Sequence, residues 1–105
     1  MTDKGQSAIE HTRSRISGKW KCVIIYVLLQ RQVCRFLELK RAIPNCSRRL
    51  LSLQLKDLVK DGLVEKHVFA AVPARTEYRL TPAGLALRPL IDAMQEWGQK
   101  DLDNV

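Results

Sequence analysis

At Gly62 the spacing of apolar residues changes, and that change limits the folds open to this chain. Before it, Leu51, Leu55 and Leu58 recur at three and four residues, the spacing of one face of an α-helix. After it, Val64, Lys66, Val68 and Ala70 alternate with Glu65, His67 and Phe69, and Thr76, Tyr78 and Leu80 alternate with Glu77 and Arg79. Alternation at two residues is the pattern of strands. Gly62 suits the left-handed residue that closes a helix. The stretch therefore predicts a helix over 47–60 that leads into a β-hairpin over 64–80, with its loop around 71–75. Thr81-Pro82 then supplies an N-cap and a first-turn proline for a last helix.

Upstream, residues 8–16 fit a short helix with Ile9 and Ile16 as sparse apolar anchors, broken at Ser17-Gly18. Residues 19–30 are apolar nearly all the way round, which marks a central, buried helix. Their Val and Ile content also allows a strand, but length and the helical neighbours favour helix. Phe36, Leu37, Leu39 and Ile43 mark a short helix with Glu38, Lys40 and Arg41 outside. Pro44-Asn45 ends it, because a residue before proline is pushed out of helical geometry. Ser47 is a good N-cap for the helix that follows. The last helix reads as continuous from Pro82 to about residue 100, with Pro89 inside it either bending the helix or losing one hydrogen bond. Its stripe of Leu87, Leu90, Ile91, Met94 and Trp97 is wider than a small domain can easily cover, so a dimer seam is expected there, shared with Ile9. The fold class is mainly α with a small β-hairpin wing (α+β), in the layout of a winged helix-turn-helix. One domain over 8–105 follows a frayed N-terminus over 1–7.

Charge is unevenly placed. Residues 13–60 hold 12 Lys and Arg against Glu38 and Asp57, a surplus of ten, whereas the whole chain carries +7. A basic half beside a slightly acidic one points to a face for a polyanion. The apolar run from Trp20 to Leu29 is interrupted by Lys21 and falls well short of the ~20 residues of a helical membrane span. A soluble, cytoplasmic protein is expected. Cys22, Cys34 and Cys46 are odd in number and form no CxxC pair, which argues against a disulfide framework or a zinc site. No Ser/His/Asp set or phosphate-binding glycine loop is present, so neither an enzyme nor a bound cofactor is expected.

Several motifs stand in order along the chain: GKW at Gly18–Trp20, RFLEL at Arg35–Leu39, Ile43-Pro44 with Ser47, LVKDGLV at Leu58–Val64, VPARTEYRLTPAG at Val72–Gly84, and Trp97-Gly98. With these the chain resembles the HxlR family of bacterial transcription regulators. MarR and PadR regulators are alternatives at the level of the fold, but the VPARTEYRLTPAG run favours HxlR. The resemblance implies a homodimeric winged helix on operator DNA. It also implies, for several members, a response to reactive aldehydes, quinones or oxidants through a cysteine upstream of GKW, in a motif resembling Cys-Pro-Val-Glu. Here that run is Ser7-Ala8-Ile9-Glu10. A hydroxyl is neither a thiolate nucleophile nor a disulfide partner.

In such a unit the helix over 47–60 enters the major groove of double-stranded DNA. With Leu51, Leu55 and Leu58 inward, Arg49, Leu53, Lys56 and Lys60 fall outward, flanked by Arg48 and Ser52. Together with Ser47 these form the expected contact. Arg49 has the fork that bridges guanine O6 and N7, whereas Lys56 and Lys60 suit phosphates. Leu53 suits a thymine methyl group, or is a chance surface leucine. Arg35 is a phosphate-clamp candidate. Lys66, Arg75 and Arg79 belong to the wing, with Arg75 directed to a minor groove or to the backbone.

Cys46, beside the start of that helix, is a candidate redox switch if the helix end and Arg48/Arg49 favour its thiolate, and an inert turn cysteine otherwise. Cys22 is expected in the core and Cys34 in an exposed loop. His67 reads as a solvated strand residue. Tyr78 and Trp97 read as rings packed in the core and the dimer region. The competing reading of the whole is a winged-helix protein-interaction module that has lost DNA contact.

Overall fold

The computed structural model describes residues 7–105. Six helices and a three-stranded sheet are present among them: α1 (Ala8–Ile16), α2 (Lys21–Arg31), β1 (Val33–Arg35), α3 (Phe36–Ala42), α4 (Arg48–Lys60), β2 (Val64–Phe69), β3 (Arg75–Leu80), α5 (Pro82–Leu85) and α6 (Arg88–Asp103). The hairpin β2–β3 and the helices before it match the expectation from spacing. Residues 1–6 of the expected frayed terminus lie outside the described residues. Ser7, grouped with them by sequence, instead caps α1. Its hydroxyl accepts from the Glu10 N–H at 3.2 Å, while the Glu10 carboxylate accepts from the Ser7 backbone N–H at 3.0 Å. This reciprocal pair satisfies two otherwise orphaned donors. It also holds the Glu10 carboxyl below its ordinary pKa, through the backbone N–H first and the Ser7 side chain second.

The core is built on α2. Ile24, Ile25, Leu28 and Leu29 are buried against Leu39 and Ile43, Leu51, Leu55 and Leu58 of α4, Tyr78 and Leu80 of β3, and Ile91 of α6. The near-continuous apolar surface of α2 is thus used on several sides at once. Lys21, at its start, is buried too, with its ammonium 3.8 Å from the Asp57 carboxylate on α4. That partner offsets the cost of a charge removed from water.

Two departures from the sequence reading have local causes. Gln32 adopts a φ of 69° and turns the chain off α2 into β1, which pairs antiparallel with β3. The sheet order is therefore β1-β3-β2. Cys34, expected in an exposed loop, lies opposite Tyr78 in this strand and is buried. Second, the last helix is divided. α5 ends at Leu85, and Pro89 sits in the first turn of α6, where its missing N–H leaves no helical acceptor unmatched. The proline starts a helix instead of bending one. The Arg88 guanidinium fixes this start by donating to the Leu29 carbonyl at 3.0 Å, at the end of α2.

Glycines close the joints around α4. Gly62, at φ 76°, is the left-handed residue past its last turn. The Thr81 hydroxyl donates to the Gly62 carbonyl at 2.6 Å and accepts from the Gly84 N–H at 3.1 Å. Gly84 rides so close to the Leu63 backbone that a Cβ there would collide with its carbonyl oxygen. The TPAG segment thereby pins α5 onto the link between α4 and the sheet.

Candidate nucleic-acid interface

α3, the turn after it and α4 form a helix-turn-helix. The turn is held by the Cys46 N–H, which donates to the Ile43 carbonyl at 3.1 Å, and by the Lys40 ammonium, which donates to the Pro44 carbonyl at 3.0 Å. The Ser47 hydroxyl then accepts from the Leu50 N–H at 3.1 Å and starts α4. At the other end the Arg15 guanidinium donates to the Asp61 carbonyl at 2.5 Å. A cation there matches both an unpaired terminal carbonyl and the negative end of the helix dipole. Sequence reading missed this link between α1 and α4, because no periodicity records a contact across 46 residues.

Leu51, Leu55 and Leu58 are buried, which fixes the rotation of α4. Arg48, Arg49, Ser52, Leu53, Lys56 and Lys60 are all exposed. Asp57, the one acid within α4, is the partner of buried Lys21. Asp57 is itself exposed, so the outer face of the helix carries Arg49, Lys56 and Lys60 together with Leu53 and this one paired carboxylate.

The wing is less free than the sequence reading made it. Arg75 lies in β3 at the start of the strand, with its guanidinium 4.2 Å over the Phe69 ring and its Nε 3.4 Å from the Glu77 carboxylate. Arg79 stands 3.9 Å from the Glu65 carboxylate. Both wing arginines are thus engaged across the hairpin. Lys66 is exposed and forms no ion pair among the described residues. It lines a cleft of about 220 Å³ between α4 and the wing, with Ser52, Leu55, Lys56, Val59 and Tyr78. The sheet therefore brings Lys66 to the side of Ser52 and Lys56. Arg35 is exposed at the junction of β1 and α3, and its backbone N–H donates to the Glu38 carboxylate at 2.7 Å. His67 is exposed, its ring tilted 56° against that of Phe69 with centroids 4.3 Å apart.

The thiol environments bear on the Cys46 candidate. Cys46 is buried, and burial raises its pKa; Lys40 and Lys19 pull the other way and do not prevail. The sequence reading had weighed a helix end and two arginines but not the loss of water. Cys22 and Cys34 are raised by burial as well. All three are free thiols.

The expected dimer stripe splits into two faces. Ile91 is buried in the protomer's own core and Leu87 packs against that core, so these two are spent within one chain. Leu90, Met94 and Trp97 remain exposed on one flank of α6, and Ile9 is exposed on α1. A single helical stripe could not tell the two faces apart. Beside it, Cys22, Val23, Tyr26, Ile91, Met94 and Gln95 line an apolar groove of about 370 Å³ between α2 and α6. No helix among the described residues is long and apolar enough to cross a membrane.

Residues 15–105 match the model of the HxlR-like helix-turn-helix family. An uncharacterized HTH-type transcriptional regulator from Halalkalibacterium halodurans is 46% identical over 94 residues, 90% of this chain and 83% of that protein. The uncharacterized HTH-type transcriptional regulator YdzF of Bacillus subtilis is 44% identical over 93 residues, 89% of this chain and 85% of its own length. Among solved structures, the redox regulator HypR in its reduced form superposes with a TM-score of 0.86 at 39% identity, covering 92% of this chain and 95% of that one. The motifs named from the sequence and the helix-turn-helix built on them agree with these matches: the chain belongs to the HxlR-like helix-turn-helix family and is a transcriptional regulator of the HTH type.

Proposed function

We propose that the chain is a homodimer that binds operator DNA sequence-specifically, with α4 in the major groove and the wing beside it. One observation carries this reading. The exposed face of α4 presents Arg48, Arg49, Lys56 and Lys60 while its single acid is held by Lys21. A helix end free of carboxylates meets a polyanion without like-charge cost. Arg49, in the first turn, suits a base edge, and Lys56 and Lys60 suit phosphates. Ser47, Ser52, Lys66 and Arg35 complete the contact. Arg75 and Arg79 have a smaller part, because DNA must first compete with Glu77 and Glu65 for them.

Dimerisation has a separate support. Trp97 is 70% exposed on the same flank of α6 as Leu90 and Met94, and Ile9 on α1 is 80% exposed. Large apolar side chains gathered on the terminal helices fit a two-fold seam. The test of the whole reading is selection of genomic DNA fragments by the purified protein at near-physiological salt. Enrichment of a two-fold repeat supports it. A folded protein that enriches nothing turns the reading toward a protein-interaction module.

A further inference from the structure

The outermost line of α4 carries one apolar side chain among cations. At about 100° per residue, Leu53 lies opposite buried Leu51, Leu55 and Leu58, and Arg49, Lys56 and Lys60, with the Lys21-paired Asp57, all fall within about 60° of it. Leu53 is 47% exposed, so the protomer's core does not claim it. Residues three and four apart are surface neighbours on a helix, which places Arg49 and Lys56 directly beside it, with half-buried Leu50 and the Lys21-paired Asp57. An apolar protein partner at this spot would have to strip water from those cations without supplying counter-charges. A phosphate offers a leucine nothing. The major groove of DNA offers counter-charge and one kind of apolar group together: phosphates at its rims and the C5-methyl of thymine on its floor.

We infer that Leu53 is a specificity-determining residue that packs on a thymine C5-methyl group of the operator. The inference rests on the DNA-binding reading above. It also places the thymine. Leu53 lies four residues past Arg49, about 6 Å along the helix axis, which is roughly two base-pair steps of 3.4 Å. The thymine therefore lies one to two steps from the base that Arg49 contacts, because a helix in the major groove lies at an angle to the DNA axis. In a homodimer it occurs once in each half-site.

Replacing a single thymine by deoxyuridine removes that methyl group and leaves base pairing intact. On an operator obtained by fragment selection, each thymine is replaced in turn, symmetrically in both half-sites, and affinity is measured for wild type and for Leu53→Ser. Leu53 lies outside the core, so the variant keeps the fold. At one symmetric pair of positions, wild type is expected to lose affinity by about fourfold per methyl group removed, and Leu53→Ser is expected to be indifferent. Wild type that tolerates uracil at every position overturns the inference. So does an equal loss in wild type and variant, which would assign the methyl group to another residue. Failure to enrich any fragment removes the DNA-binding reading and this inference with it, and it is recognised at the selection step, before any uracil is introduced.

Discussion

Arg49 shows how far one side chain's role follows from its position. It is exposed in the first turn of a helix whose rotation is set by three buried leucines. Arg49→Ala is expected to weaken specific binding by about 1–3 kcal/mol and to relax the base preference at one operator position; a titration on matched and mismatched operators checks both. The thiols point the other way, to what sequence position hides. In Cys22, Cys34 and Cys46 burial raises the pKa, and in Tyr78 it does the same for the phenol. The folded state therefore keeps these protons at pH values where the unfolded chain has lost them. That contribution to stability is complete below the unfolded thiol range, about pH 8.5, and is lost as pH rises through the raised folded values. The urea midpoint should fall on the alkaline side, and less steeply in a Cys34→Ala/Cys46→Ala protein. An equal fall in both would assign the effect elsewhere.

Among the elements, α4 carries the proposed DNA contact, and its start rests on Ser47. Ser47→Ala should cost about 1 kcal/mol of stability without DNA present, whereas Ser47→Asn, which retains a capping acceptor, should cost much less. Urea unfolding of the free proteins separates this from any contact with phosphate. α4, its cap and the Gly62 stop were legible in the sequence because each is a local signal: a leucine stripe, a hydroxyl before it, a glycine after it. β1 was not, since three residues cannot establish a period, and Cys34 was misplaced with it. The break between α5 and α6 was misread because proline is tolerated in a first helical turn as readily as it bends an interior one. The exposed faces of α4 were readable from spacing, but the pairing of Arg75 with Glu77 and of Arg79 with Glu65 was not. The Arg79–Glu65 pair arises only when the hairpin register sets the two side by side, and the Arg75–Glu77 pair only because Arg75, read from sequence as loop, joins Glu77 on one face of β3.

For the molecule as a whole, the division of α6 into an inward Ile91 and an outward Leu90, Met94 and Trp97 separates stability from assembly. Trp97→Glu should shift the protein toward monomer in sedimentation while leaving its far-ultraviolet circular dichroism unchanged; loss of helical signal instead would place Trp97 in the protomer core. In the proposed homodimer two copies present two α4 helices, and each charge on their outer line acts twice. The most direct test of that outer line as the DNA-binding face is the salt dependence of operator affinity, compared between wild type and Lys56→Ala/Lys60→Ala. Each phosphate contact contributes about 0.9 to the slope of log affinity against log salt, so removing two lysines from both protomers should make the slope shallower by roughly 3–4. A variant slope equal to that of wild type would contradict the account, because the two lysines would then meet no phosphate at all.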